Sequence, residues 1–154
     1  MIRRIAVFGL LMFTVAIAWA VIAAEDADSI IEVGLDEEHG VFGIQLTDGR
    51  WLTYGGSVGG GGGTMHINFK IDGTIYTTNP YLSGGTTITP EGSIYEEYEN
   101  IIVTDWYPVD SVQCTQNLHP FSIEGKGAVT IRYNIINHDD SPHEVGVLPV
   151  SYTH

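Results

Sequence analysis

The chain has 154 residues and a formal net charge of −13, with 19 acidic residues against six lysines and arginines. Such acidity argues against nucleic acid and anionic membrane surfaces as partners, because both carry negative charge themselves. A single cysteine, Cys114, excludes an intrachain disulfide, and its place in an alternating segment predicts a buried, unreactive thiol.

The first two dozen residues have the layout of a signal peptide. Two arginines precede an uncharged apolar run over 5–22. Small residues then offer two cleavage positions, one closing Ile22-Ala23-Ala24 and one closing Ala18-Trp19-Ala20. We expect cleavage after Ala24, which gives a signal peptide helix at 1–24 and a single secreted or surface-located domain at 25–154. The alternative is an uncleaved anchor, because the run approaches the roughly 20 residues that span a bilayer.

Alternating apolar residues in the first half of the domain predict two consecutive β-hairpins. One covers 39–54 with Asp48-Gly49 at its turn, and the other covers 65–77 with Asp72-Gly73 at its turn. Asp-Gly is typical of a type I′ turn, which needs positive φ at both central residues. Seven of the nine residues in 55–63 are glycine. A phosphate-binding loop of this kind would contain a lysine and lead into a helix, but this run has no lysine and leads into a strand. It therefore predicts a flexible connector.

The second half of the domain shows strand patterns at 93–99, 100–106, 111–118, 128–137 and 144–150. For 93–99 a single helical turn is the alternative, because Ser93 and Glu96 have capping-box spacing. The clearest strand is 128–137, whose odd-numbered residues from Val129 to Ile135 are apolar and predicted to face inward. About eight short strands without intervening helices predict an all-β fold, an antiparallel β-sandwich.

One segment of this half resembles a known kind of module. It reads Val129-Thr-Ile-Arg-Tyr-Asn-Ile-Ile-Asn137, followed by a polar turn and Val145-Gly-Val147. It is similar to paired strands in immunoglobulin-like modules of bacterial and archaeal surface proteins, which carry a Tyr-x-Ile/Val-x-Asn strand before a turn. The resemblance implies an adhesive, spacing or carbohydrate-associated role and supplies no catalytic residues. A larger super-sandwich of the galactose-mutarotase type is also compatible with the strand-rich layout.

The last predicted strand contains Pro149, which lacks an amide hydrogen and therefore predicts an edge strand. Truncation of a longer protein is an open alternative. In either case we expect that an exposed edge at this strand could pair with strands from elsewhere.

The polar turn at 137–144 contains the best candidate metal ligands. His138 and His143 with an aspartate suit zinc, whereas Asp139 and Asp140 with backbone carbonyls suit calcium. Neither spacing matches a metal-binding motif, so the alternative is a solvated turn and a protein without a cofactor.

Two further groups of residues suit carbohydrate chemistry. Flat aromatic rings with polar edges can stack on sugars, and the candidates for a glycan platform are Trp51, Tyr54, Trp106 and Tyr107. Paired carboxylates of a glycosidase could come from Glu91, Glu96, Glu97 and Glu99, for which a charged surface is the alternative. We therefore expect a secreted, non-catalytic module with an adhesive, structural or ligand-binding role toward a glycan, a protein or a cation. The alternative is a fragment of a secreted carbohydrate-active enzyme.

Overall fold

The computed structural model describes residues 21–53, 65–79 and 84–150, and within these ranges the chain forms strands and turns without a helix. The predicted all-β class is therefore confirmed. The glycine run and most of the predicted signal peptide helix lie outside the described residues. The strands are β1 Val21–Glu25, β2 Ile31–Asp36, β3 Phe42–Leu46, β4 His66–Ile71, β5 Thr74–Thr77, β6 Thr86–Thr87, β7 Gly92–Glu96, β8 Ile101–Val109, β9 Val112–Ile123, β10 Lys126–Asn137 and β11 Val145–Val150.

These strands are arranged in three sheets. The first sheet has the order β1-β2-β3, the second has the order β11-β4-β5-β6, and the third has the order β10-β9-β8-β7. All neighbouring strands are antiparallel except β5 and β6, which are parallel. A bridge between Phe42 and Met65 joins the first sheet to the start of the second, where the Phe42 amide donates to the Met65 carbonyl at 3.2 Å.

The core lies between the third sheet and the other two. One cluster joins Ala24, Val33, Leu35, Phe42 and Met65 to Ile102 and Leu118 of the third sheet. The other joins Ile67, Phe69 and Ile71 of β4 to Trp106, Val112 and Cys114 of the third sheet. Alternate residues of β8 and β9 enter these clusters, and the residues between them face away from the core. The third sheet therefore has a buried face and an outer face.

The two predicted hairpins have different outcomes. Strands β4 and β5 pair across Asp72 and Gly73, whose φ values of 49° and 86° are those that a type I′ turn needs. At the other turn Gly49 has a positive φ of 87° and Asp48 does not. The chain after it returns along β3 through isolated bridges at Trp51, opposite Gln45, and at Thr53, and the amides of Leu52 and Thr53 both donate to the Ile44 carbonyl. Over its described part, 50–53, the predicted return strand is therefore reduced to isolated bridges to β3 and is not a continuous strand.

Strands are observed where the second half of the sequence predicts them. Strand β7 covers most of 93–99, so the strand interpretation of that segment is confirmed over the helical turn. In β10, Val129, Ile131 and Tyr133 are partly buried, as predicted, but Ile135 is 39 % exposed. Strand β10 is at the edge of the third sheet, and its end has less cover from the facing layer. Cys114 is 1 % exposed, as expected of a core residue.

Strand β11 is at an edge of the second sheet. The Asp72 amide donates to the Glu144 carbonyl at 3.0 Å, and this pair sets the alternation of hydrogen bonds between β4 and β11. The backbone groups of Val145, Val147 and Pro149 then face away from β4, toward the free edge. Proline is tolerated at such a position because no partner requires its amide hydrogen.

Candidate functional site

A polar groove lies on the outer face of the third sheet. Its volume is about 370 Å³, and its walls are formed by Glu99, Ile101, Asn117, His119, Thr130 and Arg132. The strand register brings these residues together, because Arg132 of β10 pairs with Asn117 of β9 and Thr130 pairs with His119. The apolar residue of this lining, Ile101, comes from β8. The groove therefore combines an apolar side chain with hydroxyl, amide, imidazole, guanidinium and carboxylate groups.

The turn between β7 and β8 positions Glu99 at this groove. Asn100 follows it with a φ of 54°, a left-handed conformation that asparagine adopts more readily than most residues. The Asn100 side-chain amide donates to the carbonyls of Glu25 at 2.7 Å and Pro120 at 3.2 Å, and its oxygen accepts from the Tyr95 hydroxyl at 2.9 Å. These bonds hold the turn against β9, where His119 lies.

The polar groups of the groove have few partners within the described chain. The Arg132 side chain is exposed and forms no ion pair with a described carboxylate. The buried side-chain oxygen of Asn117 has no hydrogen-bond partner among the described residues. A buried acceptor without a donor costs free energy. His119 is held by its ring contact with Phe121, at 5.6 Å between centroids.

A second cluster forms around His143 in the β10–β11 connection. Its Nδ1 lies 2.6 Å from Asp72 Oδ2, and its Nε2 lies 3.1 Å from Ser111 Oγ and 3.3 Å from Asp139 Oδ2. The Glu144 amide also donates to Asp72 Oδ1 at 2.9 Å. The cluster joins the β4–β5 turn of the second sheet to the β8–β9 turn of the third. We refer to Asp72, Ser111, Asp139 and His143 as the His143 clamp.

The pKa values in the His143 clamp shift in complementary directions. Hydrogen bonds to Asp72 and then to Asp139 raise the pKa of His143 above 6.5. The hydrogen bond from His143, followed by that from the Glu144 amide, lowers the pKa of Asp72 below 3.8. For Asp139 burial raises the pKa, but hydrogen bonds from His143, the Ser141 amide and Ser111 together outweigh it and lower the pKa. The folded state thus favours an imidazolium between two carboxylates.

Ser111, His143 and Asp72 have the connectivity of a serine-hydrolase triad, from hydroxyl to imidazole to carboxylate. A triad requires a neutral imidazole whose Nε2 accepts the serine proton. Here the second carboxylate, Asp139, faces the same Nε2 and favours its protonated form. The arrangement therefore fits an electrostatic link between turns better than activation of a nucleophile.

The four candidate metal ligands do not converge. His143 and Asp139 are in the clamp, whereas His138 Nε2 lies 3.0 Å from Gln113 Oε1 and its ring stacks on Tyr107. Among residues 21–53, 65–79 and 84–150, no group of three or more histidine, cysteine, aspartate or glutamate side chains has an arrangement that could hold a metal ion. The predicted zinc or calcium site stays a prediction without geometric support.

The candidate glycan platform does not form one surface. Trp106 is 0 % exposed in the second core cluster, where its ring lies 6.0 Å from that of Phe69. Tyr107, the next residue in the strand, is on the opposite face and 40 % exposed. Trp51 is partly buried beside β3, and Tyr54 lies outside the described residues. The correction follows from strand alternation, because neighbouring aromatics in a strand cannot share a face.

Sequence reasoning missed the groove and half of the clamp for the same reason. Thr130 and Arg132 were recognisable as outward-facing, but only the pairing register places them beside His119 and Asn117. Asp72 and His143 are 71 residues apart in the chain. No local pattern links such residues, although the excess of polar residues on one face of 111–118 and 128–137 was visible in the sequence.

A third feature is an apolar groove of about 380 Å³ on the second sheet, between β11, β4 and β5. Leu148 and Ile75 line it and are 61 % and 47 % exposed. Lys70 provides its one charged side chain. In the described part of the chain, no helix has the length and apolar character needed to cross a membrane.

Comparison with protein-family models, with curated proteins and with solved structures gave no match for this chain. The resemblance of 129–147 to immunoglobulin-like modules therefore stays a prediction.

Proposed function

We propose that this chain is an exported, non-catalytic β-sandwich module that binds a hydroxylated ligand, an extracellular glycan, in the polar groove of its third sheet. The observation that carries the proposal is the convergence of Asn117, His119 and Arg132 around one concavity on the outer face of the third sheet. Amide, imidazole and guanidinium groups are donors and acceptors that suit sugar hydroxyls, and the apolar Ile101 suits a sugar ring face.

The chemistry of the groove favours a glycan over the other two ligand classes. A cation would need several converging oxygens, but the groove contains a guanidinium and one carboxylate, that of Glu99. A protein partner of standard size covers about 800 Å² of surface and about 20 to 30 residues on each side. Six residues line this groove, so it is much smaller than such an interface. A sugar unit is the ligand whose size and hydroxyl groups match it.

The side chains that line the groove also favour binding of a glycan over its hydrolysis. Most glycosidases place two carboxyl groups on opposite sides of the scissile bond, about 5 to 10 Å apart. Among the residues that line the groove, Glu99 alone carries a carboxylate. The groove therefore gives no support to the alternative function, a fragment of a carbohydrate-active enzyme.

The proposed sandwich and the proposed export are supported by separate observations. Both core clusters join the third sheet to a facing layer, as expected when two layers of sheet pack on each other. Export is supported by the charged and apolar pattern of residues 3–22 and by the acidity of the remaining chain.

A glycan array tests the binding proposal directly. The secreted protein is applied to the array beside the variants Arg132→Ala and Asn117→Ala, and Arg50→Ala provides a matched control. Arg50 is also exposed, but it pairs with Asp48 at 2.8 Å outside the groove. We expect Arg132→Ala to bind at least about tenfold more weakly, because a hydrogen bond to a charged group is worth about 1.5 to 3 kcal/mol. Asn117→Ala should bind about two- to tenfold more weakly, because a neutral hydrogen bond is worth about 0.5 to 1.5 kcal/mol.

Arg50→Ala should retain wild-type binding, and all three variants should keep wild-type thermal unfolding profiles. Binding that is equal in wild type and both groove variants would place the ligand elsewhere. The absence of binding to any glycan class would contradict the proposal itself.

A further inference from the structure

We infer that the exported precursor is cut after Ala20, so that the mature domain begins at Val21 and keeps strand β1. This inference rests on the proposed export. It replaces the cleavage after Ala24 that the sequence alone favours, and it assigns a processing site from the packing of the domain that follows it.

Strand β1 is an integral part of the first sheet. All five residues from Val21 to Glu25 pair with β2, with Val21 opposite Asp36 and Glu25 opposite Glu32. Ala24 is 3 % exposed within the first core cluster, and Ile22 packs against the same cluster. The carbonyl of Glu25 accepts a hydrogen bond from Asn100, whose turn also positions Glu99 at the polar groove.

Cleavage after Ala24 would remove four of the five residues of this strand. Strand β2 would then become an edge, and Val33 and Leu35, both 0 % exposed, would lose the cover of Ala24 and Ile22. An exposed apolar edge strand invites aggregation. Cleavage after Ala20 avoids this outcome, because the whole of β1 stays with the domain.

The sequence around Ala20 suits a signal peptidase at least as well. Ala18-Trp19-Ala20 has small residues at both positions of an A-x-A cleavage site, whereas Ile22-Ala23-Ala24 has a bulky isoleucine at the first of them. With the cut after Ala20, the apolar stretch at 5–17 has a length within the roughly 7 to 15 residues typical of signal peptides.

The test is the intact mass of the product, with N-terminal sequencing, after the full precursor is expressed in a secreting host. A product that begins at Val21 is the expected result. A product that begins at Glu25 would overturn the inference and leave export standing. An unprocessed chain would overturn both the inference and the proposed cleavage of an exported precursor.

Two variants make the result independent of later trimming and of folding, because processing is determined after a short pulse of synthesis. Ala20→Leu places a large residue at the proposed cut and should abolish the product that begins at Val21. Ala24→Leu blocks only the other site and should leave that product unchanged. The reverse pattern, with processing lost in Ala24→Leu and retained in Ala20→Leu, would overturn the inference.

Discussion

At the scale of single residues, Gly40 is held in contact with the core. Its φ is 68°, and a Cβ at this position would overlap the ring of Trp106 and touch Pro90. Gly125 has nearly the same φ, 71°, with no heavy atom within 4 Å of such a Cβ. The two glycines therefore share a backbone requirement and differ in the space around them.

We expect Gly40→Ala to destabilise the domain more than Gly125→Ala. Both changes carry the left-handed backbone cost of about 1 to 2 kcal/mol, and Gly40→Ala adds roughly 1 to 3 kcal/mol of overpacking against Trp106. Chemical denaturation of the two variants measures the difference. Equal losses of stability would show that the ring of Trp106 does not pack against Gly40 as described.

The His143 clamp predicts a pH dependence of stability with a definite sign. The raised pKa of His143 gives stabilisation that is full below pH 6.5 and is lost as pH rises through the raised value. The lowered pKa values of Asp72 and Asp139 give stabilisation that is present above pH 3.8 and is lost as pH falls through the lowered values. The contribution of the clamp is therefore largest between these limits.

His143→Gln should lower the melting temperature most near about pH 5, where wild-type His143 is protonated, and less at alkaline pH above its raised pKa, where it is neutral. His138→Gln is the matched control, because His138 lies in the same connection and outside the clamp. Thermal unfolding across this pH range measures both variants. A destabilisation by His143→Gln that is independent of pH would contradict the ionic role of the clamp.

At the scale of elements, the β4–β5 hairpin depends on the conformation of its turn. Gly73 has a φ of 86° and no heavy atom within 4 Å of an added Cβ, so backbone strain alone determines the effect of a substitution. Gly73→Ala should cost about 1 to 2 kcal/mol. Gly92→Ala, at a position with equal space and no positive φ, should be close to neutral or slightly stabilising. Denaturant midpoints compare the two, and a neutral Gly73→Ala would contradict the type I′ turn.

The sequence predicted elements well where local chemistry determines them. Asp72-Gly73 formed its hairpin, and the alternation in 128–137 formed β10. Asp48-Gly49 led only into isolated bridges to β3. The Gly49 amide donates to the Leu46 carbonyl and the Leu46 amide to the Arg50 carbonyl, both at 2.8 Å, so the turn closes with positive φ at Gly49 alone. Strand β1 was missed because its residues also suit the end of a signal peptide. The groove depends on register between strands, which a single strand's pattern cannot provide.

At the scale of the whole molecule, the third sheet contributes to both core clusters, so we expect them to unfold together. The Cys114 thiol reports on the opening of the second core cluster, because it is buried there and burial raises its pKa to about 11. Iodoacetamide should therefore label Cys114 slowly in the native protein and rapidly after unfolding. The labelling transition with denaturant should coincide with the loss of circular dichroism. Rapid labelling before that loss would show that the second cluster opens independently.

Binding at the polar groove is the central claim, and chemical-shift mapping of the ¹⁵N-labelled mature domain tests it most directly. The probe is the glycan with the strongest signal on the array, titrated into the wild-type protein and into Arg132→Ala. We predict saturable shifts centred on the amides of Asn117, His119, Thr130 and Arg132, and their loss in the variant. Shifts centred instead on Leu148 and Ile75 of the second sheet, or no saturable shifts at all, would contradict the claim.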